Sequence, residues 1–89
     1  MEHLEGQLFD GQGQVLFTRV AGVLRHGVTF LGLTWWDGRF ALAPGERIEP
    51  GDYRLLLKDG RAGNIHVGPG NYRSGQRGVI EFSDRGPLQ

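Results

Sequence analysis

Apolar and polar residues alternate most cleanly over Tyr53–Val67, YRLLLKDGRAGNIHV. Tyr53, Leu55 and Leu57 alternate with Arg54 and Lys58, and Ile65 and Val67 alternate with Asn64 and His66, the period of half-buried strands. Leu56 is the one apolar residue out of phase. Asp59-Gly60 between the two runs is a strong hairpin signal. A two-residue loop would set Ile65 beside Arg54. A three-residue loop, Lys58-Asp59-Gly60, sets Tyr53 opposite Ile65 and Arg54 opposite Asn64, with Gly60 at the left-handed position of a bulge. The longer loop keeps the apolar set on one face, so it is the reading adopted, since a one-residue slip would turn that set to solvent.

The remaining pattern extends this unit. Leu4–Phe9 reads as a short strand with Leu4 and Leu8 in phase. Val15–Val20 is β-branched and aromatic but bulky on both faces, so its inner face stays open. Ala21–Gly27 reads as a connection, Val28–Trp36 as a third strand and Arg39–Ala43 as a fourth. Pro44–Gly51 and Gly68–Gly78 read as loops. Val79–Ser83 is a last strand, with Ile80 and Phe82 on one face and Glu81 on the other. The tail 83–89 reads as loose, or packed lightly through Leu88.

No segment carries a capped 3.6-residue apolar stripe. Asp-Gly recurs at 10–11, 37–38 and 59–60. The chain is therefore expected to be all-β: a small barrel or sandwich of six to seven antiparallel strands built from three Asp-Gly hairpins. Closure into a barrel removes exposed edges in a chain this small. In an up-and-down meander the three Asp-Gly turns share one end. The connections 21–27, 44–51 and 68–78 share the other, gathering Arg25, His26, Glu46, Arg47, Glu49, Asn71, Tyr72, Arg73 and Arg77.

Composition narrows the class. Eighty-nine residues make one domain, 1–89. Such a chain buries only roughly 60–65% of its unfolded surface, which leaves a thin stability margin. There is no cysteine, hence neither disulfide nor thiolate chemistry. No apolar run reaches the length of a membrane span, and MEHLEGQ lacks a signal-peptide core, so the expectation is a soluble cytoplasmic protein with no membrane partner. PGDYRLLLKDGR is turn chemistry of the kind seen in many small bacterial β-proteins, and it is not diagnostic. Ten basic and ten acidic residues give zero formal charge, without the global field of a strong nucleic-acid binder.

Candidate chemistry is sparse. His3, His26 and His66 lack metal-ligand spacing, and no metal or cofactor site is expected. Ser74 and Ser83 sit in no nucleophile motif. Glu46 and Glu49 lie in an open loop with nothing to raise a pKa, so no catalytic residues are assigned and no enzymatic activity is expected. Trp35-Trp36 is the first binding candidate. With a hairpin turn at Asp37-Gly38, Trp35 pairs with Phe40 and Leu33 with Leu42 on the buried face. Trp36 then stands outside beside Arg39, as a local cation–π contact or as an interface anchor. Arg54 and His66 complete the interface candidates on the outer face of the 53–67 hairpin. The glycine-rich loop 68–78 is the second candidate. Tyr72, Arg73 and Arg77 there would suit an OB- or SH3-like barrel that stacks and neutralises single-stranded nucleic acid. The leading expectation is a non-enzymatic β-barrel module that binds protein, self-association included, with nucleic-acid binding as the alternative.

Overall fold

A computed structural model describes residues 1–69 and 78–89. Six antiparallel strands close into a barrel: β1 Glu2–Phe9, β2 Val15–Val28, β3 Thr34–Ala41, β4 Gly51–Leu57, β5 Ala62–Val67 and β6 Val79–Asp84. The order around the barrel is β1-β2-β3-β6-β5-β4. Each half, β1–β3 and β4–β6, is a three-stranded meander. The two meanders meet along β1–β4 and β3–β6, and the segment 42–50 crosses one end of the barrel to link them. No helix of the described residues is long and apolar enough to cross a membrane.

Strand alternation fills the interior. Leu4 and Leu8 of β1, Val20 and Leu24 of β2, Trp36 and Phe40 of β3, Leu55 and Leu57 of β4, Ile65 and Val67 of β5, and Ile80 and Phe82 of β6 form one buried cluster. Ile48 from the crossing segment closes that cluster at its end of the barrel. Each such side chain removed from water contributes about 1.5–3 kcal/mol, which is how so short a chain offsets its ordering entropy.

The β4–β5 hairpin matches the three-residue reading. Tyr53 pairs with Ile65 and Arg54 with Asn64. Leu57 N–H donates to the Arg61 carbonyl (2.7 Å), and Gly60 takes φ +97°. The 10–14 turn joins β1 to β2, so the first Asp-Gly also lies at a turn.

Asp37-Gly38 does not. It lies inside the continuous strand β3, where Asp37 pairs with Arg25 and Ser83, and Gly38 with Leu24 and Phe82. A Cβ on Gly38 would strike the Val23 carbonyl oxygen and come 2.7 Å from the Phe82 ring. This glycine answers a packing demand, not a turn. The connection expected at 21–27 is strand as well, since β2 runs unbroken to Val28. The real β2–β3 turn is 29–33, closed by Thr29 N–H on the Leu33 carbonyl (2.8 Å) and Gly32 N–H on the Thr29 carbonyl (2.9 Å).

These changes replace the simple meander with a crossed one. The 10–14 turn and the crossing segment 42–50 share one end, and the 29–33 and 58–60 turns share the other. Arg25 and His26 therefore lie toward the end opposite Glu46, Arg47 and Glu49. Asn71, Tyr72, Arg73 and Arg77 fall outside the described residues. The tail is also ordered. Ala62 and Gln89 exchange backbone hydrogen bonds of 2.6 and 2.9 Å, and Arg85 N–H donates to the Asn64 carbonyl (2.8 Å). The β5–β6 ladder itself pairs only Ile65 with Asp84 and His66 with Ser83. The tail thus extends the shortest seam of the barrel.

Candidate protein-interaction site

The β2–β3 hairpin outruns its neighbours. The β1 ladder ends at Glu2 with Leu24, and the β6 ladder ends at Ser83 with Asp37. Residues 25–36 therefore project as a two-stranded finger. From Gly27 to Trp36 the finger carries no charged residue. Its large side chains, Trp36 apart, face solvent: Phe30 is 97% exposed, Leu31 72%, Val28 65%, Leu33 64% and Trp35 36%. Scattered exposed apolar residues are ordinary, but a contiguous patch on a small monomer marks a contact site.

The two tryptophans take opposite roles to those expected. Trp36 is 6% exposed and packs edge-on to Phe82, ring centroids 6.0 Å apart. Its indole N–H donates to the Gly86 carbonyl (2.7 Å), and its backbone N–H to the Asp84 carboxylate (3.0 Å). It is a core residue that also holds the tail. The outward position expected for it required a turn at Asp37-Gly38; a continuous β3 reverses the faces. Trp35, expected inside with Leu33, lies outside across Gly27. The Arg25 guanidinium sits 5.9 Å from its ring centroid. Asp37 holds that guanidinium in a two-bond fork (2.8 and 2.7 Å). This carboxylate raises the Arg25 pKa further above its ordinary value. An Arg–Trp pair whose arginine is bonded to Asp37 therefore flanks the apolar tip, the pairing enriched at binding hot spots.

On the other face of the finger, His26, Val28 and Thr34 are in register with the buried Trp36, since directly paired residues share a face. With Arg61, Asp84, Pro87 and Leu88 they line a groove of about 680 Å³ at the finger's base. Arg61 is fixed by a two-bond fork to Glu2 (3.1 and 3.0 Å) and by Asp59 (2.9 Å).

The other interface candidates are dispersed. Arg39 is on the outer face of β3, cross-strand from Glu81. Arg54 bonds Asn64 (3.3 Å), and His66 Nδ1 contacts Asp52 (2.7 Å) on the β4–β5 face. Trp36 is buried, so it shares no surface with Arg39, Arg54 and His66. Of the nucleic-acid candidates, Tyr72, Arg73 and Arg77 lie outside the described residues. Five of the ten cations are matched locally: Arg19 and Lys58 with Glu5, Arg25 with Asp37, Arg61 with Glu2 and Asp59, Arg85 with Asp52. The acids respond accordingly. Arg61 holds Glu2, and Lys58 followed by Arg19 holds Glu5, below the ordinary carboxylate value. The His66 hydrogen bond, assisted by Arg85, lowers Asp52, and the Arg61 backbone N–H lowers Asp59. Among the described residues no group of three or more His, Cys, Asp or Glu is placed to hold a metal ion.

The finger tip is the feature the sequence reading missed. Its signal was the ten-residue uncharged run with Gly32 inside it. Asp37-Gly38 drew the expected turn from 29–33 to 37–38. Compared with protein-family models, curated proteins and solved structures, the chain matches none of them.

Proposed function

We propose that this chain is a non-enzymatic β-barrel module that binds protein through the apolar end of its β2–β3 finger. One observation carries the reading: Val28, Phe30, Leu31, Leu33 and Trp35 stand exposed together on a segment without charge. Supporting it, the Arg25–Trp35 pair is already held in place by Asp37, so docking against it costs little side-chain entropy. The local neutralisation of Arg19, Arg25, Lys58, Arg61 and Arg85 weighs against a continuous phosphate-binding track. Among the described residues, Arg25 and Arg61 beside the finger are paired with Asp37 and Glu2, which weighs against attraction of the tip to an anionic membrane.

The test is a photo-crosslinker in place of Leu31, with a second in place of Gln12 at the opposite end. Protein adducts at position 31 and none at position 12 support the reading. Absence of protein adducts at 31, together with co-sedimentation of the chain with phosphatidylcholine vesicles, refutes it.

A further inference from the structure

Resting on that reading, we infer that the partner is a second copy of this chain, with two fingers packed antiparallel about a two-fold axis. The chain carries both halves of the contact. The tip presents Phe30 and Leu31, and the groove at the finger's base offers Val28, Thr34, Pro87 and Leu88. Tip and groove are separated by only two to four residues, about 10 Å along a strand. Two fingers laid inner face to inner face, running in opposite directions, therefore set each tip over the other's groove. A two-fold operation satisfies both contacts at once and closes the assembly, whereas a one-way insertion would propagate into a fibre.

Charge and area agree with this arrangement. Zero net charge removes long-range repulsion between copies. The uncharged Gly27–Trp36 run brings no like charges together where two fingers overlap. Val28, Phe30 and Leu31, which lie on the overlapping face and the tip, expose on the order of 500 Å² per copy, the scale of a weak, concentration-dependent contact. Val28 sits midway between tip and base, which places it near the axis and close to its own counterpart. Phe30 lies at the far end of the overlap, distant from the other Phe30 and close to the other chain's Leu88.

The absence of cysteine makes the geometry directly readable. Val28→Cys is expected to form a disulfide-linked dimer under mild oxidation. Phe30→Cys alone is not, but a mixture of Phe30→Cys and Leu88→Cys chains is expected to cross-link between them. Thr18→Cys, exposed on the outer wall of β2, is the control and stays uncoupled. Sedimentation velocity at about 100 µM is expected to show a dimer, and Phe30→Asp to weaken it at least about thirty-fold, with an unchanged circular dichroism spectrum. A wild-type monomer at that concentration overturns the proposal. So does a dimer indifferent to Phe30→Asp, or Val28→Cys coupling no faster than Thr18→Cys. Failure here is separable from failure of the parent reading. A strict monomer whose position-31 crosslinker still captures other proteins refutes the second copy alone. A monomer whose position-31 crosslinker captures none refutes both.

Discussion

Gly63 and Trp36 give the sharpest check on the reversed tryptophans. A Cβ added at Gly63 would meet Trp36 Cζ2 at 2.6 Å, Cη2 at 3.0 Å and the Pro87 carbonyl oxygen at 3.1 Å. The indole cannot swing aside freely, because it is buried and its N–H is held by Gly86. Gly63→Ala should therefore overpack the site, at about 1–3 kcal/mol. Replacing glycine in a strand returns roughly 0.5–1 kcal/mol of backbone entropy, leaving a net loss of up to about 2.5 kcal/mol. For a domain of this size each kcal/mol lowers Tm by about 4–8 °C. Trp36→Phe deletes the ring edge that the new methyl would strike, along with the hydrogen bond to Gly86, at a cost of its own. In that background the methyl enters vacated space. Gly63→Ala should then be neutral or stabilising, a coupling of about 1–3 kcal/mol between the two positions. Urea melts of the wild type, both single variants and the double variant measure that coupling. If Gly63→Ala costs the same in both backgrounds, Trp36 does not lie against Gly63 and the packing argument fails.

Four further outcomes follow from the same geometry. Gly60→Ala places a Cβ at φ +97° and should cost about 1–2 kcal/mol; Asp59→Ala removes only exposed bonds to Arg61 and should cost clearly less, and equal urea midpoints would count against the three-residue loop. Arg61 and Lys58 lower the folded-state pKa values of Glu2 and Glu5, so their stabilisation is present above the unfolded value and lost as pH falls through the folded one. Glu2→Gln should accordingly flatten the decline in Tm below about pH 4.5 while leaving its shape above pH 6 unchanged, measured by thermal melts across acid pH. Phe30→Asp should shift the stability of dilute, monomeric protein by no more than about 0.5 kcal/mol, because its side chain touches almost nothing within the chain; a larger loss would mean that the tip folds back onto the barrel. Trp36→Phe should leave an emission that is red-shifted and quenched by iodide, from Trp35, and Trp35→Phe a blue-shifted, protected one; the opposite assignment would restore an outward Trp36.

Local chemistry made part of this structure readable in advance. At 53–67 the alternation of Tyr53, Leu55, Ile65 and Val67 and the turn at Gly60 agree, so strand, face and register follow together. Asp37-Gly38 is the same dipeptide with a different cause. There the glycine clears the Val23 carbonyl and the Phe82 ring, and the aspartate grips Arg25 across the ladder. Both demands come from residues distant in sequence, so nothing within the local window reveals them. The error then spread, because moving the turn from 29–33 to 37–38 exchanged the faces of Leu33, Trp35 and Trp36. That exchange hid the exposed tip and placed a core tryptophan among the contact residues. The choice of a protein contact over catalysis came from the paired tryptophans, the lack of a catalytic constellation and the small core, and none of these says where apolar residues will be left uncovered.

The crossing segment 42–50 has a practical consequence. It is the sole covalent link between two complete meanders, while Glu2 and Gln89 both reach back to the adjacent residues Arg61 and Ala62. The chain could be joined through a short Gly/Ser bridge from 89 to 1 and opened near Gly45, swapping the order of the two halves without breaking a strand. Such a permutant keeps every ladder of the barrel and moves its free ends to the far side from the finger. A surface tether or fluorescent fusion carried there would leave the tip unobstructed.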